Sequence, residues 1–290
     1  MKQISGIPIN IEEDILGRIT LKKRNVFRRK DTILVADDLL NIPYGYSAAI
    51  TNNKLSGNGC ACVVEKQELR EFNEGDVVLI SKTGEIIFLY EINSLHNAIF
   101  ATERCNHRCI MCPQPPVESE TDKTPFNLKL ISLMDKNTRE LGITGGEPTL
   151  IGDKLFDLIR QIQKYQPKAA ISLLTNGVKF ADKSYAMKLA MCKHHDLQID
   201  IPIFSDIAEE HNSIVGVKTF YKTVQGLYNL ALFNLQIGLR IVIHKLTYKR
   251  LPQLADYILK FPTLSDWSKY LIFNLSHTTQ PPRTLPTLQP

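Results

Sequence analysis

The sequence has 290 residues, of which 43% are apolar and 22% charged, and a formal net charge of +5. This length and apolar fraction are enough to bury a large core in one large domain or in two unequal ones. No apolar run reaches the ~20 residues that a membrane span needs, and the N-terminus lacks an apolar segment of signal-peptide length. We therefore expect a cytoplasmic protein with no membrane part, in a compartment where clustered cysteines bind metals rather than form disulfides.

Residues 1–95 predict a small β-rich domain. The apolar run Thr32–Ala36 indicates a short strand, and Gly75–Tyr90 is typical of a hairpin with its turn at Ser81–Gly84. Ser56–Gly59 indicates a loop. Cys60 and Cys62 are too few to hold a metal cluster, and we expect them to contribute to a strand as small apolar residues.

Residues 96–261 alternate between strand and helix patterns, which favours a parallel sheet. The predicted strands are Ala98–Thr102, Glu140–Thr144, Ala170–Leu174, Leu197–Phe204 and Ile237–His244. The predicted helices are Asn127–Lys136, Lys154–Tyr165, Asp182–Cys192, Thr219–Phe233 and Leu251–Lys260.

Residues 262–290 form an atypical tail. Tyr270–Leu275 has the composition of a sixth strand. Beyond it, residues 276–290 are rich in Thr and Pro, which predicts disorder.

Three cysteines follow the first predicted strand of the second region. Cys105, Cys109 and Cys112 have the spacing CxxxCxxC. Thiolates this close together select zinc, copper(I) or an iron–sulfur cluster. Zinc takes four protein ligands in a structural site and three plus water in a catalytic site, whereas three cysteines on a four-iron cluster leave one iron open to another ligand.

A second motif, Thr144-Gly-Gly-Glu-Pro148, follows the next predicted strand. Its two glycines allow the backbone to approach a ligand closely. Pro148 ends the strand pairing and turns the chain towards the next helix.

A cysteine triad after one strand and a Gly-Gly-Glu-Pro motif after the next are the pattern of the radical S-adenosylmethionine (SAM) enzymes, and residues 97–261 resemble that superfamily. The resemblance implies an α/β fold: a partial (β/α)6 barrel preceded by a small β-rich domain, with the site at the carboxyl ends of the strands. The sequence departs from the family pattern after about residue 261, which predicts a truncated C-terminal end.

The resemblance also implies two cofactors, a [4Fe-4S] cluster on Cys105, Cys109 and Cys112, and SAM on the fourth iron. In the family, one electron from the reduced cluster cleaves SAM to a 5′-deoxyadenosyl radical. The residues expected to contact SAM follow the predicted strands: Met111, Gly145, Gly146, Glu147, Pro148, Thr175, Asn176, Ser205 and Arg240. We expect Glu147 to offer its carboxylate to the ammonium group of SAM, and the sequence identifies no catalytic residue.

The histidines carry weaker signals. We expect His107, inside the cysteine loop, to face water, and His211 to cap a helix or face solvent. His244 shares a predicted strand face with Arg240 and is a candidate for lining the pocket.

Four segments narrow the resemblance to His-Xaa-Ser system radical SAM maturases of the HxsC type: Met111–Pro116, Ile201–Asp206, Glu210–Gly216 and Leu239–Lys245. This resemblance implies modification of a ribosomally made peptide. The implied partners are a small precursor with His-Xaa-Ser repeats, a second radical SAM maturase and an electron donor.

Two other readings remain open. One is a radical SAM enzyme that acts on a small molecule such as a purine-like precursor, and the other is a non-catalytic protein that binds an iron–sulfur cluster or zinc. The stretch Arg18–Lys30 has seven basic residues among thirteen, and is either a solvated face or a patch for an acidic peptide or nucleic acid. We expect no nucleic acid partner.

Overall fold

The computed structural model describes residues 2–37, 41–53, 59–243 and 245–260, together with the backbone of residues 271–274. By their contacts, these residues form two compact units. The first contains the residues up to Ala98 with Pro125–Leu141 and Gln161–Ala169, and the second contains Ile99–Thr124, Gly142–Arg160 and the residues from Ala170 onwards. None of the described helices is both long and apolar enough to cross a membrane.

The N-terminal part of the described chain forms an eight-stranded sheet with the order β1-β8-β7-β3-β4-β5-β6-β2. Its strands are β1 (Gln3–Ser5), β2 (Ile7–Ile9), β3 (Ile15–Thr20), β4 (Thr32–Val35), β5 (Ala48–Thr51), β6 (Ala61–Val63), β7 (Val77–Ile80) and β8 (Glu85–Tyr90). The expected strand at Thr32–Ala36 and the expected hairpin are confirmed: β7 and β8 pair antiparallel, and Gly84 has φ +89° in the turn between them. The expected loop at Ser56–Gly59 lies largely outside the described residues.

Gly6 joins the two edges of this sheet. It separates β1, which pairs with β8, from β2, which pairs with β6 at the other end. A Cβ on Gly6 would overlap the Cys62 sulfur, so only glycine fits at this bend. The interior behind it is apolar and includes Ile19, Ile33 and Ile50, none of which is exposed.

The second sheet has six described strands in chain order, β14-β13-β12-β11-β10-β9. They are β9 (Ala98–Phe100), β10 (Glu140–Thr144), β11 (Ala170–Leu174), β12 (Leu197–Pro202), β13 (Gln236–Val242) and β14 (Leu271–Asn274). Strands β11 to β14 pair in parallel. The predicted α/β class with six strands is confirmed, and β14 lies in the predicted sixth strand.

Helices lie between consecutive strands of this sheet: α1 (Thr124–Leu133), α2 (Lys154–Tyr165), α3 (Lys183–Ala190), α4 (Ala208–Val215), α5 (Phe220–Leu232) and α6 (Leu251–Leu259). Five of them were predicted, with bounds that differ by one to three residues at most ends. Helix α4 was not predicted. The predicted disorder of residues 276–290 concerns residues outside the described part of the chain.

Candidate functional site

Three loops carry the predicted motifs, and each begins where a strand ends. The cysteine loop, which we define as residues 103–113, follows β9; the Gly-Gly-Glu-Pro motif follows β10; and Thr175-Asn176 follows β11. The carboxyl ends of neighbouring parallel strands lie at one edge of a sheet, which is where α/β proteins place their ligand sites.

The Gly-Gly-Glu-Pro motif lies directly against the segment that precedes Cys105. The Gly146 amide donates to the Thr102 carbonyl at 2.8 Å, and the Glu147 amide donates to the Arg104 carbonyl at 2.8 Å. A Cβ on Gly146 would overlap the Arg104 carbonyl oxygen. The backbone of the cysteine loop therefore explains this glycine without any ligand.

Glu147 is the centre of a buried hydrogen-bond network. Its side chain is only 1% exposed. One carboxylate oxygen accepts from the Thr149 amide at 3.0 Å and from the Thr149 and Thr175 hydroxyls at 2.6 Å each, while the other accepts from the Asn176 amide at 2.7 Å. Burial raises the pKa of this carboxyl group, and the four donors oppose that shift.

This network reaches the cysteine loop through Asn176. The Asn176 side-chain amide donates to Asn106 Oδ1 at 2.6 Å, and its own Oδ1 accepts from the Val178 amide at 3.0 Å. The three motifs predicted separately are thus joined by hydrogen bonds between Glu147, Asn176 and Asn106. Both polar ends of the Asn176 side chain have protein partners.

Helix α4 supports the other side of the cysteine loop. The Arg108 amide donates to the Val215 carbonyl at 2.9 Å, and the Ile110 amide donates to the Ile214 carbonyl at 3.0 Å. Gly216 ends the helix in the left-handed conformation with φ +74°, and a Cβ there would lie 2.9 Å from the Arg108 carbonyl oxygen. The carbonyls left free at the end of a helix thus find donors in the cysteine loop.

Two buried histidines lie beside this support, and both expectations for them were wrong. His107 is 3% exposed, and its Nε2 lies 3.0 Å from the Thr219 hydroxyl. His211 is 1% exposed, packs between Phe204 and Phe220 and accepts at Nδ1 from the Phe204 amide at 3.4 Å. Burial lowers the pKa of each imidazole to about 4, so both are neutral at pH 7.

The three thiols of the cysteine loop are half-buried and form no disulfide. Burial raises the pKa of Cys109 to about 12, with smaller contributions from Cys105 and Cys112, and burial also raises the pKa of Cys105. A metal must therefore displace protons from these thiols, and a soft donor set of this kind suits iron–sulfur or zinc binding.

A cluster and a single ion make different demands on three thiols. Among the described residues, no three His, Cys, Asp or Glu side chains are placed to hold one metal ion. Each cysteine of a four-iron cluster binds a different iron, so the three sulfurs surround the cluster rather than meet at one point. Zinc would need these sulfurs to converge in a tetrahedron.

The remaining predicted residues have protein partners in this structure. Met111 packs with Phe204, Ile214 and Val215. The Ser205 hydroxyl donates to Glu210 at 2.6 Å and accepts from the Ile207 amide at 3.1 Å, at the start of α4.

Pro148 is buried and begins a 3-10 turn that Glu147 caps. Arg240 lies on β13 opposite Pro202 of β12. His244 lies outside the described residues. Contacts of all these residues with SAM stay predictions.

One face of the parallel sheet is polar. Asp200, 3% exposed, accepts from the Ser172 hydroxyl at 2.5 Å and from the Gln198 amide at 2.7 Å. A Cβ on Gly238 of β13 would overlap the Asp200 carboxylate. The alternate residues Ile199 and Ile201 of β12 are fully buried apolar residues, so the two faces differ by the two-residue period of a strand.

Sequence reasoning missed Asn106, Asn212 and Thr219 as supports of the site. Asn212 Oδ1 accepts from the Thr219 amide at 2.9 Å and from the Phe220 amide at 3.0 Å, and Thr219 in turn contacts His107. In the sequence, the segment Glu210–Gly216 carries a signal only through its resemblance to the HxsC-type maturases. Its role is visible once α4 lies against the cysteine loop.

Comparison with known proteins finds similarity over the part of the chain that carries these motifs. Residues 99–258, more than half of the chain, match the family model described as the Radical SAM superfamily. The chain is 31% identical over 117 residues to a GTP 3′,8-cyclase of Desulforamulus reducens, which covers 38% of this chain and 36% of that protein.

A further relative is a tungsten-containing aldehyde ferredoxin oxidoreductase cofactor-modifying protein of Pyrococcus furiosus, 31% identical over 175 residues, or 54% of this chain and 46% of that protein. The chain thus spans between 36% and 46% of the length of these two curated relatives. Among solved structures, native anSMEcpe with bound AdoMet has 21% identity and a TM-score of 0.48, covering 61% of this chain and 50% of that one.

Proposed function

The chain belongs to the radical SAM superfamily, and on that premise we propose that it modifies a ribosomally made peptide of a His-Xaa-Ser system. It is an enzyme of a family that uses a [4Fe-4S] cluster and SAM. The cluster, when bound, supplies the electron that cleaves SAM to a 5′-deoxyadenosyl radical. The protein supplies binding, orientation and exclusion of water.

The observation that carries the cofactor assignment is the joining of the three motifs. Cys105, Cys109 and Cys112 would hold the cluster. The loop that carries them is fixed on one side by the Asn106–Asn176 contact and on the other by the last turn of α4. A loop held from both sides keeps its thiols in place before the metal arrives, which reduces the entropy lost when they bind.

Support for a peptide substrate comes from the segments that resemble the HxsC-type maturases. Glu210–Gly216 contains most of α4 and its end, which buttress the cysteine loop. Ile201–Asp206 carries Ser205 and also Asp206, whose carboxylate pairs with Arg250 at 2.6 Å. Under this proposal the precursor peptide, a second radical SAM maturase and an electron donor are the partners of the protein.

The test is anaerobic reconstitution with iron and sulfide, reduction with dithionite and addition of SAM, with 5′-deoxyadenosine as the measured product. We expect a brown protein with about four irons that releases 5′-deoxyadenosine faster when a synthetic peptide with His-Xaa-Ser repeats is present. A matched peptide in which each His and Ser is Ala is the control. Equal rates with both peptides would contradict the peptide assignment.

A second candidate, a purine nucleotide as substrate, is favoured by the relatives that are named GTP 3′,8-cyclase. The same assay with GTP in place of the peptide separates the two. Consumption of GTP coupled to 5′-deoxyadenosine release would favour the nucleotide. If the protein with all three cluster cysteines changed to alanine still supports modification of the peptide by the second maturase, the chain is a binding partner rather than the catalyst.

A further inference from the structure

The N-terminal unit exposes apolar and basic side chains together on two adjoining loops. Phe27 is 92% exposed and Tyr44 is 88% exposed, the two highest values among the described large hydrophobic residues. Leu21 and Val26 are each 44% exposed. We call Leu21–Lys30 together with Tyr44 the basic aromatic surface. Exposed aromatic side chains that cluster on a stable loop indicate an interaction site.

The loop that presents this surface is held in one conformation. The Arg24 guanidinium pairs with Glu74, and the Leu21 amide donates to the same carboxylate at 2.7 Å. The Arg29 side chain donates to the Arg24 carbonyl at 2.8 Å and to the Tyr44 carbonyl at 2.6 Å. These bonds join the segment Leu21–Lys30 to the loop that carries Tyr44. Because the exposed residues are already held in place, a partner that binds them loses little further conformational entropy.

The cations of the segment Arg18–Lys30, which includes all of the surface except Tyr44, divide into two sets. Arg18, Arg24 and Arg29 are used internally: Arg18 pairs with Asp135 at 3.0 Å, and Arg29 stacks 5.1 Å from the Tyr46 ring. The other cations are Lys22, Lys23, Arg28 and Lys30, and none of them forms an ion pair with a described residue. The segment from Arg18 to Lys30 contains no acidic residue.

We propose that the basic aromatic surface binds an acidic peptide segment that carries aromatic or aliphatic side chains. The free cations match carboxylates, and the 3-10 turn Val26–Arg28 presents Phe27 as an anchor for an apolar side chain. Aromatic residues flanked by basic ones are the type of residue that dominates binding energy at protein interfaces. If the proposed function is correct, the acidic segment belongs to the precursor peptide. The rest of the inference does not depend on the proposed function.

The apolar residues favour a peptide over single-stranded nucleic acid. Bases stack on aromatic rings while cations follow the phosphates, and Phe27 and Tyr44 are both compatible with that. Leu21 and Val26 are aliphatic and have no ring on which a base could stack, yet both are close to half exposed. A peptide with apolar side chains would remove these surfaces from water.

The experiment is fluorescence anisotropy with the full chain, without SAM or reductant, so that it does not depend on turnover. The probes are a fluorescein-labelled peptide rich in Asp and Glu with one Phe and two Leu, the same peptide with Lys at each acidic position, the same peptide with Ser at each apolar position, and oligodeoxythymidine. We expect the first probe to bind at least about tenfold more tightly than the others at physiological salt.

Two variants locate the binding. The triple variant Lys22→Glu/Lys23→Glu/Arg28→Glu should weaken the first probe by about tenfold or more, and Phe27→Ala by about threefold to tenfold. The matched controls are Lys66→Glu/Lys82→Glu and Leu95→Ala, which change exposed residues of the same unit and should stay within about twofold of the parent chain. Circular dichroism of each variant checks that the fold is kept.

Equal binding by the surface variants and their controls would overturn the proposal. So would tighter binding of oligodeoxythymidine than of the acidic peptide, which would make the surface a nucleic acid site. The acidic peptide could bind as expected while the His-Xaa-Ser peptide fails to speed the release of 5′-deoxyadenosine. That result would contradict the proposed function and leave the basic aromatic surface as a binding site.

Discussion

The eight-stranded sheet and the loops at the carboxyl ends of the parallel sheet use buried residues in different ways. The interior of the first is mostly apolar, as with Ile19 and Ile33, and is packed by residues of neighbouring strands. The loops bury polar groups, and residues distant in sequence satisfy them, as Asn176 does for Glu147. Apolar packing stabilises the fold but does not orient reactive groups. A buried polar network fixes the positions of its side chains, and losing any one partner leaves a buried polar group without a hydrogen bond. We therefore expect changes to buried residues of the eight-stranded sheet to affect stability alone. Changes to buried residues of the loops at the ends of the parallel strands should affect cofactor chemistry.

Removing thiols should give the largest contrast between the two regions. We expect Cys105→Ala/Cys109→Ala/Cys112→Ala to abolish iron binding and 5′-deoxyadenosine release, because no other described cysteine lies in that loop. The matched control is Cys62→Ala. Cys62 is fully buried in the first sheet, so this change should lower the free energy of unfolding by about 1 kcal/mol and leave iron binding intact. Iron analysis and thermal unfolding measure the two effects, and loss of iron in Cys62→Ala would break the comparison.

The second contrast uses two buried carboxylates. Glu147 accepts four hydrogen bonds, and Asp76, fully buried in the first region, accepts from the amides of Asn73 and Ile92. Changing either carboxylate to an amide places an NH2 group opposite N–H or O–H groups that need an acceptor. We therefore expect Glu147→Gln and Asp76→Asn each to lower the free energy of unfolding by about 2 kcal/mol.

Only Glu147→Gln should lower 5′-deoxyadenosine release, by at least about tenfold, because it releases the Thr175-Asn176 loop that contacts the cysteine loop. Denaturant unfolding of each variant is compared with its rate of SAM cleavage. If the rate falls equally in Asp76→Asn, the network around Glu147 has no special part in the site.

Two glycines with positive φ separate backbone strain from contact with the cysteine loop. Gly216 has φ +74° and ψ +10°, and Gly152 has φ +65° and ψ −137°, but only a Cβ on Gly216 would press on the loop, at Arg108. Gly216→Ala should lose about 1 kcal/mol of stability from the left-handed conformation, and Gly152→Ala about 1–3 kcal/mol, because its backbone conformation is open to little but glycine. We expect Gly216→Ala alone to shift the electron paramagnetic resonance spectrum of the reduced cluster and to slow SAM cleavage. Identical spectra in the two variants would show that α4 does not position the cluster.

A further contrast concerns acid sensitivity. Burial, and to a lesser extent His107, lowers the pKa of His211 to about 4 in the folded protein, against about 6.5 when unfolded. The unfolded state therefore binds more protons between these values, and the stability that neutral His211 contributes is lost as the pH falls through this window. Its share of the loss from pH 7 to pH 5 is about 2 kcal/mol.

Hydrogen exchange of the α4 amides at the two pH values measures this effect. His211→Gln, which keeps an acceptor for the Phe204 amide but does not titrate, should show less acid destabilisation than the parent chain. His96, the one described histidine of the first unit, is exposed, so His96→Gln is the control. An unchanged pH dependence in His211→Gln would place the acid-sensitive group elsewhere.

Local sequence patterns were enough to predict the class of fold and most of its elements, and they predict Cys105, Cys109 and Cys112 as ligands of the cluster. Strands β10 and β11 and helix α2 begin and end at the predicted residues, because hydrophobic period and flanking turn residues are local properties. The cysteine spacing and the Gly-Gly-Glu-Pro motif are local too, so the radical SAM family was visible before any contact was known.

The support of these motifs depends on contacts that no local sequence pattern shows. Glu147 accepts hydrogen bonds from Thr175 and Asn176, and Asn106 contacts Asn176. Helix α4 accepts hydrogen bonds from Arg108 and Ile110. These contacts all join residues that are far apart in the chain. We expected His107 to face water and His211 to cap a helix or face solvent, but both are buried. His107 lies against Thr219, and His211 packs between Phe204 and Phe220. Periodicity reports which face of a segment is apolar, but the partner of a buried polar group is set by the packing of distant elements.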